Sequence, residues 1–376
     1  MKKKLSKIYR LFAPCIPVKG YCRSIIADIN RHKIFLIPNS LYEIIEQNKN
    51  NTLFQILREF KKEDKPILIE YFNFLELNEM IFPLEEFEIK RFPKLPLQWD
   101  FPSLCSNALI DINEFSTYDV YRTLSELSKI NCFHLQIRFF KFIDYTELTE
   151  IIQYANELSF RSIQLMMNYN DNIDEDLLRE CMVKYWKLAK IEVYNAPFEK
   201  IIPLLGLITM IIYYKEKLKS TDQCGCVDEK YFSIEMKHFT ESQHFNTCLN
   251  RKISIDKNGE IKNCPSMEHA FGNITETNLS DIIENSEFRK LWSIRKDIID
   301  VCKDCEFRYI CTDCRCFIQN PDDIFSQPSK CRYNPYLAKW ENEDGFISVE
   351  NWRKTHLHWE KKARRKILVK NPLSII

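Results

Sequence analysis

The sequence predicts an α/β protein with a cysteine-rich C-terminal third. Three observations carry that reading. Strand-like and helix-like segments alternate between residues 107 and 197. Ten of the fifteen cysteines fall between Cys224 and Cys331. Only six glycines punctuate 376 residues, and no two are placed for G-x-G-x-x-G or a phosphate-binding loop. Such loops need several glycines so that backbone N–H groups converge on an anion, so a self-contained ATP or dinucleotide site of those types is not expected.

Residues 1–95 are expected to form a small α+β module. VKGYCRSIIADIN and HKIFLIP read as strands joined by a turn near Asn30, Arg31 and His32. Ser40 followed by Glu43 fits a capping box that opens the helix LYEIIEQ. LFQILREF and ILIEYFNFLEL have helical periods, and MIFPL reads as a short strand. The prolines of RFPKLPLQWDFPS (91–103) mark a linker. After it the strands NALIDIN, FHLQIRFF, SIQLMMNY and IEVYNAP alternate with the helices TYDVYRTLSELSKI, YTELTEIIQYANEL and DEDLLRECMVKYW. A βαβα succession implies parallel strands with right-handed crossovers, in a barrel or an open sheet. IIPLLGLITMIIYY (201–214) is too short to span a bilayer and is expected as a buried helix or helix–strand pair. ISID and EIKN flank Lys257-Asn258-Gly259, a hairpin signal. LSDIIENSEFRKLWSIR reads as one helix, and the basic WRKTHLHWEKKARRKILVK (352–370) as a solvated amphipathic terminal helix.

Hydrophobic residues make up 45% and charged residues 28%, with a net charge of +1. That balance suits a soluble globular protein without strong attraction to nucleic acid or membrane. MKKKLSKIYRLFAPC starts basic, but its apolar run is broken by Tyr9, Arg10 and Pro14, so it does not read as a signal peptide. The expected compartment is a reducing cytoplasm, where thiols bind metal instead of pairing as disulfides.

The last eight cysteines form a ligand framework: Cys248, Cys264, Cys302, Cys305, Cys311, Cys314, Cys316 and Cys331. Its centre, CKDCEFRYICTDCRC, has the spacing C-x2-C-x5-C-x2-C-x-C. A C-x2-C turn presents two thiolates to neighbouring irons of a [4Fe–4S] cube, which takes four. Zinc is the rival metal, since tetrahedral four-cysteine sites also use C-x2-C pairs. The five-residue gap between Cys305 and Cys311 is short for a zinc ribbon.

The order Cys248…Gly259-x4-Cys264…Cys302-x2-Cys305-x5-Cys311…Cys331 resembles a SPASM domain, the C-terminal extension of many radical-SAM peptide maturases. NTCLNRKISIDKNGEIKNCPSM, CKDCEFRYICTDCR and the N-terminal CIPVKGYCRSII…IPNSLYEII resemble more narrowly the SPASM maturase of grasp-with-spasm systems. In those systems the partner is an ATP-grasp ligase acting on a ribosomally made precursor peptide. The resemblance implies two [4Fe–4S] clusters. Cys302, Cys305, Cys311 and Cys331 would hold the distal one, and Cys248, Cys264 and Cys314 the one nearer the barrel. The family's further cysteine just before Cys248 is missing from ESQHFNT; His244, Cys226, Cys224 or Cys316 completes the set, or the site is open. Arg315 stands where the family's spacing would put a cysteine, flanked by Cys314 and Cys316.

The resemblance implies a degenerate radical-SAM-type partial TIM barrel with a C-terminal SPASM domain. Residues 1–95, a hairpin followed by helices and a short strand, resemble a winged-helix-like precursor-recognition module. The expected divisions are 1–95 for that module, 96–240 for the barrel, 241–340 for the SPASM domain and 341–376 for the basic tail. The barrel departs from the family, because no CxxxCxxC is present anywhere. EFSTYDV stands at that loop's position and FHLQIRFFKF where a GGE segment would meet SAM. No SAM site is therefore expected, and Cys105 and Cys132 read as core thiols. Asp111 and Glu114 sit at a strand end, where barrel chemistry occurs, but read as solvated surface. The sequence thus predicts a non-catalytic partner in peptide maturation. Its alternatives are a redox enzyme using the auxiliary clusters, with unconventional SAM binding, and a zinc-binding scaffold.

Overall fold

A computed structural model describes residues 5–204, 209–217, 224–356 and 374–375. The chain opens with β1 (Ile8–Leu11), β2 (Cys15–Lys19), β3 (Ser24–Asp28) and β4 (Lys33–Ile37). β2, β3 and β4 form an antiparallel meander. VKGYCRSIIADIN is therefore not one strand but the end of β2, a turn and β3. Gly20 makes that turn possible: a Cβ there would lie 2.4 Å from the Arg23 carbonyl oxygen and 2.8 Å from Glu306 Cβ. At the next turn Asp28 Oδ1 accepts the N–H groups of Asn30 and Arg31, and His32 takes a φ of 55°.

The helices Asn39–Gln47, Leu53–Arg58 and Lys65–Leu77 follow, and β5 (Ile81–Leu84) returns to pair antiparallel with β1. The expected capping box at Ser40 does not form. The helix starts after Pro38 without a side-chain cap, and Ser40 Oγ instead meets the Tyr71 hydroxyl at 3.3 Å. The capping box lies at Thr52 and Gln55, one helix later. Residues 92–106 carry no helix or strand.

The main sheet is built on β6 (Asn107–Ile112), β7 (His134–Phe139), β8 (Ser162–Asn168) and β9 (Leu188–Tyr194), all parallel neighbours. The helices Val120–Lys129, Tyr145–Glu157 and Glu175–Lys184 connect them. Asp119, Asp144 and Asp174 each cap one, accepting the N–H three residues on. Such a cap stabilises by about 1 kcal/mol. Ile110, Ile137, Leu165 and Ile191 are fully buried in one core with Leu124, Leu148, Ile152 and Leu178 of the helices. Alternation puts the in-register row Asp111, Arg138, Met166 and Glu192 on the other face.

Two segments overturn expectation here. Residues 201–214 form neither a helix nor a helix–strand pair: β10 (Lys200–Leu204) and β11 (Thr209–Tyr213) pair antiparallel, and β11 lies parallel on β9. Residues 205–208 lie outside the described residues. Isoleucine-rich strands suit a pleated, half-buried surface, and Pro203 falls in the outer strand, where a missing donor is tolerated. The predicted hairpin is present as β12 (Lys252–Ile255) and β13 (Ile261–Lys262), with Gly259 at φ 79°. β12 also lies parallel on β6, so the hairpin extends the main sheet. The sheet order is β10-β11-β9-β8-β7-β6-β12-β13: eight strands, mostly parallel, with β10 and β13 at opposite ends.

The predicted single helix over 279–295 is broken into Leu279–Glu284, Ser286–Arg289 and a 3-10 turn at Lys290–Ser293. Asn285 is extended (φ −65°, ψ 127°), and its side chain accepts the Glu287 N–H at 2.8 Å. β14 (Tyr333–Asn334) and β15 (Lys339–Trp340) form a small hairpin, and the helix Val349–His356 is the part of the basic tail that is described before residue 357. β16 (Ser374–Ile375) pairs antiparallel along β4. No helix of the described residues is long and apolar enough to cross a membrane.

The N-terminal meander packs on the cysteine-rich segment. Val18, Ile25 and Ile34 share a core with Phe239, Phe307, Ile310 and Tyr333. Arg23 Nε donates to the buried Glu306 at 2.7 Å, and Tyr21 N–H to the Asp304 carbonyl at 2.7 Å.

Candidate metal centre

Cys302, Cys305, Cys311 and Cys331 line one cavity of about 30 Å³ together with Lys296, Phe307 and Tyr333. Val301, at φ 64°, turns the chain into a 3-10 turn at Cys302–Asp304, and Cys305 N–H closes on the Cys302 carbonyl at 3.0 Å. Cys311 N–H bonds to the Phe307 carbonyl at 3.0 Å, and Cys331 N–H to that of Pro328 at 3.1 Å. Burial pushes Cys302 up to about 12 and Cys331 up to about 11. Lys296 opposes the rise at Cys302 and Cys311; its buried Nζ stands 3.5 Å from Cys311 Sγ. Burial works against the charge of Lys296, but Cys311, Cys302, Asp313 and Cys331 hold its pKa above the ordinary value. A cation set among thiols favours the thiolate that a metal needs.

A second group comprises Cys224, Cys248, Cys264, Cys314 and Cys316. Cys248 follows the fully buried Asn246, whose Oδ1 accepts the Cys248 N–H at 3.0 Å and whose Nδ2 donates to Asp313 at 2.8 Å. Cys264 lies two residues beyond β13. Cys314 Sγ accepts the Phe317 N–H at 3.5 Å, while Cys316 Sγ donates to the Ser266 carbonyl at 3.0 Å. Cys264 interacts with the thiols of both Cys224 and Cys316. The first pulls its pKa down; the second and burial outweigh it, to about 12. Burial pushes Cys248 up to about 11.

Asp313 and Arg315 form a buried ion pair at 2.8 Å. Asp313 raises thiol pKa values in both groups, so its charge is felt by each. Arg315 also ties the following loop, donating to the carbonyls of Ile324 at 3.0 Å and Ser326 at 2.7 Å.

The ends of β6 and β7 hold a different arrangement. Arg138 grips Asp111 with two bonds, Nε at 2.6 Å and a terminal nitrogen at 2.8 Å. Asp111 is therefore buried and paired, not solvated, while Glu114 is exposed. Burial pushes the Asp111 carboxyl up, Arg138 opposes it, and Asp256, itself bonded to Lys262 at 2.8 Å, adds to the rise. Cys264 and burial push the Cys224 thiol up, and Arg138 opposes the rise only weakly.

His244 is exposed, its ring against Phe245. Cys226 is exposed and lines the outer cleft beside Lys230, Lys330 and Arg353. The residue spacing gave no sign of Lys296, of the Asp313–Arg315 pair, or of His238. The His238 ring is buried, hydrogen-bonded to the Cys311 backbone and depressed by burial to about 4, with Nε2 unpartnered. Only the alternation of Asp313 and Arg315 with Cys314 and Cys316 hinted that charge was being carried inward.

None of the fifteen cysteines is joined in a disulfide. Buried polar atoms without a hydrogen bond gather in this region, among them Thr247 Oγ1, Asn250 Oδ1 and Glu306 Oε2. Among the described residues, no three Cys, His, Asp or Glu side chains are close enough to share a single metal ion. The donor chemistry, thiols in two groups with a cation and backbone N–H groups beside them, fits sulfur-ligated iron.

Residues 247–306 match the SPASM family, an iron–sulfur cluster-binding domain. Cys248, Cys264, Cys302 and Cys305 fall within the SPASM span; the other members of the two groups lie outside it. Among solved structures, the chain is similar to Streptococcus suis SuiB bound to S-adenosylmethionine. The identity is 12%, covering 83% of this chain and 94% of that one, with a TM-score of 0.29. SuiB bound to the precursor peptide SuiA gives 12% identity, the same coverage and a TM-score of 0.28. No curated protein matches the chain.

Proposed function

We propose that the chain is an iron–sulfur SPASM protein of ribosomal-peptide maturation, binding the precursor peptide and acting with an ATP-grasp ligase in the cytoplasm. The observation that carries the iron–sulfur part is the gathering of separate stretches of chain into two thiol groups, one of them walled into a cavity with Lys296. Two [4Fe–4S] clusters suit these groups better than zinc. Four sulfurs at 2.3 Å from one zinc crowd to within about 4 Å of one another. Each thiolate of a cube holds its own iron, so the sulfurs stand further apart. When bound, the clusters supply electron transfer or an iron site for substrate. The polypeptide's own part is to balance thiolate charge with Lys296 and to anchor the loop through Arg315.

In this reading residues 1–95 are the winged-helix-like recognition module, 96–240 the degenerate barrel, 241–340 the SPASM domain and 341–376 the tail. Extended peptides bind by adding a strand to a sheet edge. β2 is one edge of the meander and contains Pro17, which has no N–H to donate. β16 covers β4 on the other side. A precursor adding at β4 displaces Ser374 and Ile375. The peptide and ligase parts of the proposal rest on the sequence resemblance.

The buried Arg138–Asp111 pair at the ends of β6 and β7 favours a second reading, a redox enzyme working above the strand ends. Incubation with SAM and a strong reductant separates the two. Detectable 5′-deoxyadenosine favours the enzyme, and none favours the binding partner. The cluster reading is tested by anaerobic purification, which should give brown protein with about 8 iron atoms per chain. Colourless, zinc-loaded protein overturns it. A complex with precursor or ligase is expected; ligase products unchanged on deleting this protein overturn the maturation role.

A further inference from the structure

We infer that Cys224, which lies before the SPASM match, is the fourth ligand of the group formed by Cys248, Cys264 and Cys314. The inference rests on the cluster reading above and deepens it. Several contacts carry it. The Cys224 thiol interacts with that of Cys264 and stands 3.8 Å from Ser266 Oγ. The next residue is pressed against a third member: at Gly225, with φ 81°, a Cβ would lie 2.9 Å from Cys314 Sγ. Only a glycine fits both that backbone angle and that approach. The segment is pinned from outside by Lys330, whose Nζ donates to the Cys224 carbonyl at 2.7 Å and sits 3.8 Å over the Phe317 ring. Val227 continues it into a parallel bridge with Cys331 of the other group. Cys-Gly-Cys-Val is thus laid across both thiol groups.

The rivals are less well placed. Cys316 also reaches Cys264, but its thiol proton goes to the Ser266 carbonyl at 3.0 Å, whose oxygen repels a thiolate. Cys314, by contrast, accepts N–H groups from Phe317 and Cys316, the pattern that stabilises a cluster sulfur. Cys226 lines the outer cleft and His244 is exposed beside Phe245. Cys224 is exposed, so solvent reaches its group at that residue.

The test uses the full chain, reconstituted anaerobically with iron and sulfide. Cys224→Ala should lower iron and sulfide roughly twofold, the share of one cube out of two, and remove one of two reduced-state EPR signals. Cys226→Ala should match the wild type. Alkylation followed by mass spectrometry gives a readout that needs no variant. In loaded protein Cys224 should be protected while the exposed Cys22 and Cys226 are labelled. Full iron and unchanged EPR in Cys224→Ala, or the loss falling on Cys316→Ala, overturns this assignment and leaves the cluster reading standing. A wild type without iron overturns both.

Discussion

The strand–helix region and the cysteine-rich region are stabilised in different ways. Between residues 107 and 194 an apolar face is buried at every second strand position, under helices that each begin on an aspartate cap. Between residues 236 and 334 short helices and 3-10 turns enclose Lys296, Glu306, Asp313, Arg315 and several asparagines. Among the described residues, the buried polar atoms without a hydrogen bond, Thr209 Oγ1 apart, lie in that second stretch. The contrast teaches that the first region is held by apolar packing, whereas the second carries charges and amides inward around its thiols. Bound metal contributes to folding where such a module has little apolar core of its own.

Four outcomes sharpen or break that contrast. Cys302→Ser should have the largest effect: iron falls by about half and the chain aggregates, as sedimentation and iron assay would show. Retained solubility with full iron would put the cysteine-rich region on the same footing as the sheet. Asp313→Ala strands Arg315 in a buried site and should destabilise by about 3–5 kcal/mol in urea titration, with iron lost from both groups. Asp119→Ala acts only on the sheet side; it should destabilise by about 1 kcal/mol and leave iron unchanged.

The smallest effect concerns the N-terminal meander. Burial alone would raise the Asp28 carboxyl, but its bonds to Arg31 and Asn30 outweigh burial and hold it below its ordinary value. Its folded-state pKa is depressed, so its stabilisation is complete above the unfolded value of about 3.9 and is lost as pH falls through the folded one. The stability gap between the wild type and Asp28→Asn should therefore be constant near neutral pH and close in acid. A gap that persists below the folded value would contradict the assignment.

Much of this was legible in the chain. The four parallel strands and their three helices follow from local period and from aspartates at helix starts, and the β12–β13 hairpin from Asn258-Gly259. The C-x2-C-x5-C spacing marked three members of the enclosed group, because a tight turn and a single helical turn bring them together locally. Other features escaped. Residues 201–214 look equally apolar as helix or strand, and only the open edge of β9 decided for a hairpin. Ser40 has the right neighbour for a capping box, but the backbone enters that helix two residues earlier, after Pro38. Asp111 looks like a loop carboxylate until Arg138 comes alongside from the adjacent strand.

By itself, the sequence determined the alternation of strand and helix and the presence of a thiol-rich segment, because period, caps and turn residues act over a few positions. Tertiary structure decided which cysteines are neighbours, which carboxylates are buried, and that the meander rests on the Cys305–Cys311 loop. Those depend on contacts between residues far apart in the chain, and no local spacing encodes the approach of Gly225 to Cys314 or of Lys296 to Cys311.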